Sequence, residues 1–217
     1  MNQPIFPGKG LYLISRDDPC TDEDWESELS AGIRGGAAVV QYRVKRAVDP
    51  LGSAARIGAL CRAANIPFIV NDDIDLALAV GADGVHLGRE DGDPASARDR
   101  MGASAIIGVS CYDDPDRAAK AQARGANYVA FGRFFPSATK PLAPCAHLET
   151  LRSAKYHCTL PIVAIGGIKL ENARLLLDAG ADLLAVIEGV FSAEGGPESA
   201  ARQFRRLWDG SEPISPS

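Results

Sequence analysis

FIVNDDIDLALAVGADGVHLGRED, residues 68–91, decides the fold. Phe68 to Val70 and Gly84 to Leu87 are short apolar runs that read as strands, and Ile74 to Val80 between them reads as a helix. In a parallel α/β sheet, ligands bind at the carboxyl ends of the strands. Asn71 and Asp72 follow the first strand, while His86 and Asp91 stand at or just past the end of the second, so all four are expected to converge on one ligand. Carboxylates and an amide oxygen are hard donors that suit Mg²⁺ carried by a phosphorylated substrate. Two plainer roles compete. Asp72 or Asp73 fits the N-cap of the helix at Ile74, and His86 fits a packed strand histidine.

Working outward, the same alternation runs from end to end. Strand signals stand near Leu11 to Ser15, Val39 to Tyr42, Pro67 to Val70, Gly84 to Leu87, Ile106 to Val109, Tyr128 to Phe131, Ile162 to Ile165 and Leu183 to Ile187. Helix starts follow at Thr21, Pro50, Pro94, Pro115, about His147, Glu171 and Pro197, with Pro and Asp/Thr supplying helix-start chemistry. Three segments echo one another: AVGADGV (79–85), ARGANYV (123–129) and DAGADLL (178–184). In each, a Gly serves as the left-handed cap that turns a helix back into a strand. Eight strands alternating with helices predict an α/β fold of the single (βα)₈ TIM barrel type over residues 1–210, with 211–217 a disordered tail. A doubly wound open sheet is the alternative; it usually has fewer strands and carries no such closure signal.

Composition narrows the function. The 217 residues fit one domain, carry a net charge of −5 and spread their 23 basic residues without forming a stripe, which argues against nucleic acid as a partner. No apolar run approaches a membrane span and the start MNQPIFPGKG lacks signal-peptide features, so a soluble, cytoplasmic protein that does not engage membranes is expected. Cys20, Cys61, Cys111, Cys145 and Cys158 form no C-x-x-C pair, which fits reduced thiols. Cys145 and His147 alone are far short of a zinc site.

The residues that follow the strands form a coherent chemical list. In QYRVK, Gln41, Arg43 and Lys45 alternate and so face one way. Two cations and an amide suit a pyrophosphate, Arg as a bidentate fork and Lys as a point charge. Ser110 follows the fifth strand, and Ser137, Thr139 and Lys140 lie in FGRFFPSATK after the sixth. Gly166 and Gly167 after the seventh expose backbone N–H groups, and VIEG closes the eighth; such loops form the usual phosphate cradle of this fold. Each item alone also fits an ordinary polar loop. GVSCY departs from G-x-S-x-G, so Ser110 is not an elbow nucleophile. The implied chemistry is charge neutralisation of a departing pyrophosphate, with no covalent enzyme intermediate.

QYRVK, FIVNDDIDLAL, GADGVHLGRED, IIGVS, YVAFGRFFPSATK and VAIGGI, in this order over about residues 10–192, resemble the thiamine-phosphate synthase family. Members are (βα)₈ enzymes that join 4-amino-5-hydroxymethyl-2-methylpyrimidine diphosphate to a thiazole phosphate and release pyrophosphate. The resemblance implies two phosphorylated small-molecule substrates, with the pyrimidine diphosphate on Gln41, Arg43, Lys45, Asn71, Ser110 and Lys140. It places Mg²⁺ on Asp72 and Asp91, and the thiazole phosphate on Ser137, Ala138, Thr139, Gly167 and the backbone of Ile187 and Glu188. Arg43, Lys45, Ser110 and Lys140 would then serve the chemical step, and His86 and Gly166 would line the substrate site. A homo-oligomer is compatible with all of this.

Some positions depart from the family pattern. Glu188 stands where a Ser or Thr usually helps hold the thiazole phosphate, so its side chain is expected to turn away and pair with Arg133 or another base. Arg133 replaces a usual Pro, Ser137 a Thr and Arg89 a common Gln, and PLAPCAHLE lacks the glycine usual before the sixth helix. Two rival readings stand beside the synthase: a thiazole tautomerase of the same superfamily, and a non-catalytic regulatory phosphate-binding barrel. The first typically has a His where Arg133 stands and lacks the paired aspartates, and the second has no chemical need for Asp72, Asp91, Arg43 and Lys140 together.

Overall fold

A computed structural model describes residues 5–16, 22–44, 47–136 and 145–209, with 22–24 traced by backbone alone. Thr21, Lys45, Ser137, Ala138, Thr139, Lys140 and the 211–217 tail therefore lie outside the described residues. Eight parallel strands close into a barrel in chain order: β1 Gly10–Ile14, β2 Ala37–Tyr42, β3 Phe68–Asn71, β4 Gly84–Leu87, β5 Ile106–Tyr112, β6 Tyr128–Gly132, β7 Ile162–Ile165 and β8 Leu183–Val186. Strand β1 pairs with both β2 and β8, which excludes the open doubly wound sheet. Helices α1 Asp22–Gly35, α2 Pro50–Ala64, α3 Ile74–Val80, α4 Pro94–Met101, α5 Pro115–Ala123, α6 Leu148–His157 and α7 Leu170–Asp178 fill the crossovers, and α8 Glu188–Phe191 and α9 Gly196–Arg206 follow β8.

Period-two alternation divides the apolar residues between two cores. Tyr12, Ile14, Val39, Ile69, Tyr128 and Val163 pack inside the barrel. Leu11, Leu13, Val40, Val70, Phe131 and Leu184 face outward into the layer beneath the helices. Both strand faces are buried, so the strands read as nearly continuous apolar runs. Three of the five cysteines, Cys61, Cys111 and Cys158, are buried free thiols. Burial pushes Cys61 and Cys111 up to about 12, which keeps them protonated packing groups and not nucleophiles.

The three sequence echoes have one structural cause. Gly81, Gly125 and Gly180 take φ of 62°, 85° and 110°, a left-handed turn that would strain a side chain. The Asp or Asn two residues later then reaches back to the start of the preceding strand. Asp83 Oδ2 accepts from Phe68 N (2.9 Å), Asn127 Oδ1 from Ile107 N (2.8 Å) and Asp182 Oδ2 from Ile162 N (2.8 Å). The motif therefore ties β3 to β4, β5 to β6 and β7 to β8 at the bottom of the barrel. Burial raises the Asp83 carboxyl above its usual range, partly offset by the Phe68 N–H and by Arg62.

Helix starts follow local chemistry. Pro50, Pro94, Pro115 and Pro197 stand in first turns, and Asp49 and Asp114 cap α2 and α5 by accepting from Gly52 N and Arg117 N. The strand signals are met within a few residues, but β5 runs three residues further than expected, to Tyr112. A register shift between Ser110 and Tyr112 leaves Cys111 unpaired against β6 and bends the strand at the mouth. Helix α8 has no clear signal, since it is a single turn wedged between β8 and α9.

Candidate active site

A cavity of about 360 Å³ opens at the carboxyl ends of the strands. On β2 and just past it, residues 39, 41 and 43 point inward, so Gln41 and Arg43 line the cavity as their alternation predicts. Arg43 is 9% exposed, and its Nη1 is buried without a hydrogen-bond partner among the described residues. Its backbone N–H donates to Ser15 Oγ (2.8 Å), which fixes where the side chain departs. A buried guanidinium with an N–H left over is costly without a counter-charge, a demand that an anionic ligand in the cavity would meet.

The carboxylates follow the next two strands, β3 and β4. Asp73, not Asp72, caps α3: its Oδ1 accepts from Leu76 N at 2.8 Å. That leaves Asp72, held at φ 64°, to turn into the cavity, where Oδ2 accepts from Asn71 Nδ2 (2.6 Å). Asp91 lines the same cavity from the loop after β4 and accepts from Gly88 N (2.9 Å). No group of three or more His, Cys, Asp or Glu side chains is arranged to hold a metal among the described residues. Two carboxylates are nonetheless a fitting donor set for Mg²⁺, which keeps several waters and takes the rest of its shell from substrate phosphates.

The floor is a buried polar chain. Gln41 Nε2 donates to Tyr12 Oη (2.9 Å), Tyr12 and Tyr128 share a hydrogen bond (2.7 Å), Tyr128 meets His86 Nδ1 (3.0 Å), and His86 Nε2 meets Ser110 Oγ (2.9 Å). Phe6 stacks on Tyr128 at 4.2 Å and closes the barrel from below. Burial pushes both phenols well above their usual range, so both keep their protons. Gly108 makes room for this arrangement, because a Cβ there would overlap Tyr128 Cζ and Oη. His86 is thus both a packed strand histidine and a neighbour of the cavity.

The remaining wall is built by Gly166, Gly167, Ile187, Glu188, Lys169 and Arg133. Gly167 has φ 63° and lies so close to Pro136 O and Phe135 that no side chain fits. Glu188 pairs with Arg16, at 3.4 Å from Nη2, and also accepts from Ser192 Oγ (2.5 Å). The expected pairing with a base is present through Arg16, just past the end of β1, while Glu188 still lines the cavity. Arg16 also reaches Glu28 at 3.5 Å and lies over the Phe191 ring. Arg89 stacks on the Tyr112 ring, 4.8 Å from its centroid, and its N–H donates to Tyr112 Oη.

The structure thus brings together Gln41, Arg43, Asn71, Asp72, His86, Asp91, Ser110, Gly166, Gly167, Ile187 and Glu188, whereas Lys45, Ser137, Ala138, Thr139 and Lys140 fall outside the described residues. Sequence reasoning missed Tyr12, Tyr128, Lys169 and Arg16. The two tyrosines carried a usable signal: counting by twos along β1 and β6 puts Tyr12 beside Ile14, and Tyr128 beside Ala130, on the inner face. Arg16 carried none, because its partners are far off in the chain.

A family model for thiamine monophosphate synthase matches residues 11–190. The chain is 55% identical over 93% of its length to a thiamine-phosphate synthase of Methylococcus capsulatus, covering 89% of that protein. It is 49% identical over 93% of its length to one of Aromatoleum aromaticum, covering 97%. Among solved structures, a thiamine phosphate pyrophosphorylase from Pyrococcus furiosus superposes with a TM-score of 0.81 at 33% identity, over 93% of this chain and 96% of that one. A 3-hexulose-6-phosphate synthase, at 20% identity and a TM-score of 0.67, shares the fold.

Proposed function

The chain belongs to the thiamine monophosphate synthase family and is a transferase of that type, and from this premise we propose how its barrel mouth performs the coupling. The pyrimidine diphosphate binds with its pyrophosphate toward Arg43, Asn71 and Ser110, and the thiazole phosphate binds toward Gly166, Gly167 and the first turn of α8. The observation that carries this reading is a buried guanidinium, with an N–H unpartnered among the described residues, in one cavity with two carboxylates. A lone anion site would have no use for Asp72 and Asp91. A lone cation site would have no use for Arg43.

The carbon–oxygen bond to the pyrophosphate breaks as negative charge grows on the departing oxygen. Arg43 meets that charge with a planar fork, and Ser110 adds a neutral donor. Asp72 and Asp91 would hold Mg²⁺, which when bound neutralises further charge on the leaving group. Lys45 and Lys140, by resemblance, add two more cations. The electron-rich aminopyrimidine carries the resulting methylene cation until the thiazole nitrogen captures it. The apolar walls of Ile14, Ala130, Val163 and Ala185 keep water from that carbon. No protein nucleophile is needed, in keeping with the inert buried thiols.

Incubating the purified chain with both substrates and Mg²⁺ tests the reading, since thiamine phosphate and pyrophosphate should appear in equal amounts. Thiazole phosphate supplied alone should come back unchanged. Isomerisation of thiazole phosphate alone, or binding of both substrates without product, would overturn the proposal.

A further inference from the structure

At the floor of the cavity, hydrogen bonds run through five side chains from five different strands: Gln41, Tyr12, Tyr128, His86 and Ser110. Such a run has a direction, set by which end of the Gln41 amide faces Tyr12. The Gln41 amide meets Tyr12 through Nε2, which can only donate. Tyr12 Oη accepts that bond and holds one proton of its own, in a position 1% exposed. Its other contact is Tyr128 Oη, so that proton goes there; otherwise it would be a buried donor without an acceptor. Tyr128, fully buried, also meets the Gln41 amide, which donates, so its own proton goes to the acceptor that remains, His86 Nδ1.

We propose that Tyr12 and Tyr128 are positioning residues that lock His86 in its neutral Nε2–H tautomer and thereby turn the Ser110 hydroxyl into a donor aimed at the substrate. With Nδ1 accepting from Tyr128, the ring proton sits on Nε2 and is donated to Ser110 Oγ at 2.9 Å. Ser110 no longer needs to donate to His86, so its own proton points into the cavity that it lines. The opposite direction would make Ser110 donate to His86 and present only lone pairs to the ligand. Lone pairs repel an oxyanion, so the direction of the run decides whether Ser110 helps or hinders departure of the pyrophosphate. Gly108 belongs to the same device, since any side chain there would push the Tyr128 hydroxyl out of line. Only the consequence for substrate rests on the proposed function; the tautomer does not.

The test begins with ligand-free wild-type protein labelled with ¹⁵N-histidine. Only three histidines are present, and a His86→Gln sample assigns the resonances. His86 should show a pyridine-type Nδ1 and a pyrrole-type Nε2. The reverse pattern, or an equal mixture, would overturn the inference whether or not the protein couples the two substrates. A double-mutant cycle then tests the connection to Ser110. Tyr128→Phe keeps the ring stacked on Phe6 and should lower the coupling kcat by at least about tenfold, with the KM for thiazole phosphate unchanged. In a Ser110→Ala background the same substitution should cost no more than about twofold, because the group it positions is gone. Equal losses in both backgrounds would show that Tyr128 serves packing alone and would sink the connection.

Discussion

Replacing Arg16 tests how this chain tolerates a carboxylate beside its proposed phosphate cradle. Glu188 lies 3.4 Å from the Arg16 guanidinium, and the two side chains are 47% and 20% exposed. Unit charges at that separation attract by about 5 kcal/mol at an effective dielectric of about 20. Solvent screening of a half-exposed pair reduces the net effect to about 1 kcal/mol, the upper end for exposed pairs. Arg16→Met keeps the aliphatic stem on Phe191 but frees the Glu188 charge to oppose the incoming phosphate. The KM for thiazole phosphate should therefore rise about fivefold, since about 1.4 kcal/mol is a factor of ten, while the KM for the pyrimidine diphosphate stays put. Adding Glu188→Ser to Arg16→Met should restore the wild-type value. Steady-state kinetics with each substrate varied in turn reads both. An unchanged KM in Arg16→Met, or no rescue in the double variant, would refute the idea that Arg16 neutralises Glu188.

Asp72→Asn and Asp91→Asn should each lower the Mg²⁺-dependent coupling rate by about 10²-fold or more and leave the circular dichroism spectrum unchanged; wild-type turnover in either would remove that residue from the metal site. Gly108→Ala should destabilise by about 1–3 kcal/mol through overpacking against Tyr128, seen as a lower midpoint in urea, and an unshifted midpoint would show that the floor is loosely packed. Asp93, bonded to Arg124, has its carboxyl held below the ordinary range, chiefly by that hydrogen bond. A depressed folded-state pKa gives stability that is present above the unfolded value and lost as pH falls through the folded one. The urea midpoint of Arg124→Ala should thus lie below wild type near neutrality and converge with it in strong acid; a gap that persists at the acid end would show that the loss is packing and not charge.

The barrel was legible because three signals agreed: eight apolar runs, Pro and Asp at helix starts, and the repeated Gly-Ala-Asp/Asn turn. What that Asp or Asn does was not legible, because its acceptor bond reaches the start of another strand. The charged and amide groups of the site could be read because they end strands, as Gln41 and Asn71 do, or follow them directly, as Arg43 and Asp72 do. The division of labour between Asp72 and Asp73 required coordinates, since adjacent aspartates look alike until one is seen capping α3 and the other turned into the cavity. Tyr12 and Tyr128 were hidden as ordinary barrel residues, because buried strand aromatics are common and their polar partners, each other, Gln41 and His86, come from other strands. Arg16 was hidden for a different reason: its partnership with Glu188 spans nearly the whole chain.

Calorimetric titration of pyrophosphate, the common product, tests the central claim that Arg43 and the paired aspartates act on one leaving group. Wild-type protein with Mg²⁺ should bind pyrophosphate saturably at one site, and binding should weaken by about tenfold or more in excess chelator. Arg43→Lys should also weaken binding in the presence of Mg²⁺, because the charge is kept but the planar fork is lost. The same dissociation constant for wild type with Mg²⁺, wild type in chelator and Arg43→Lys would contradict the account.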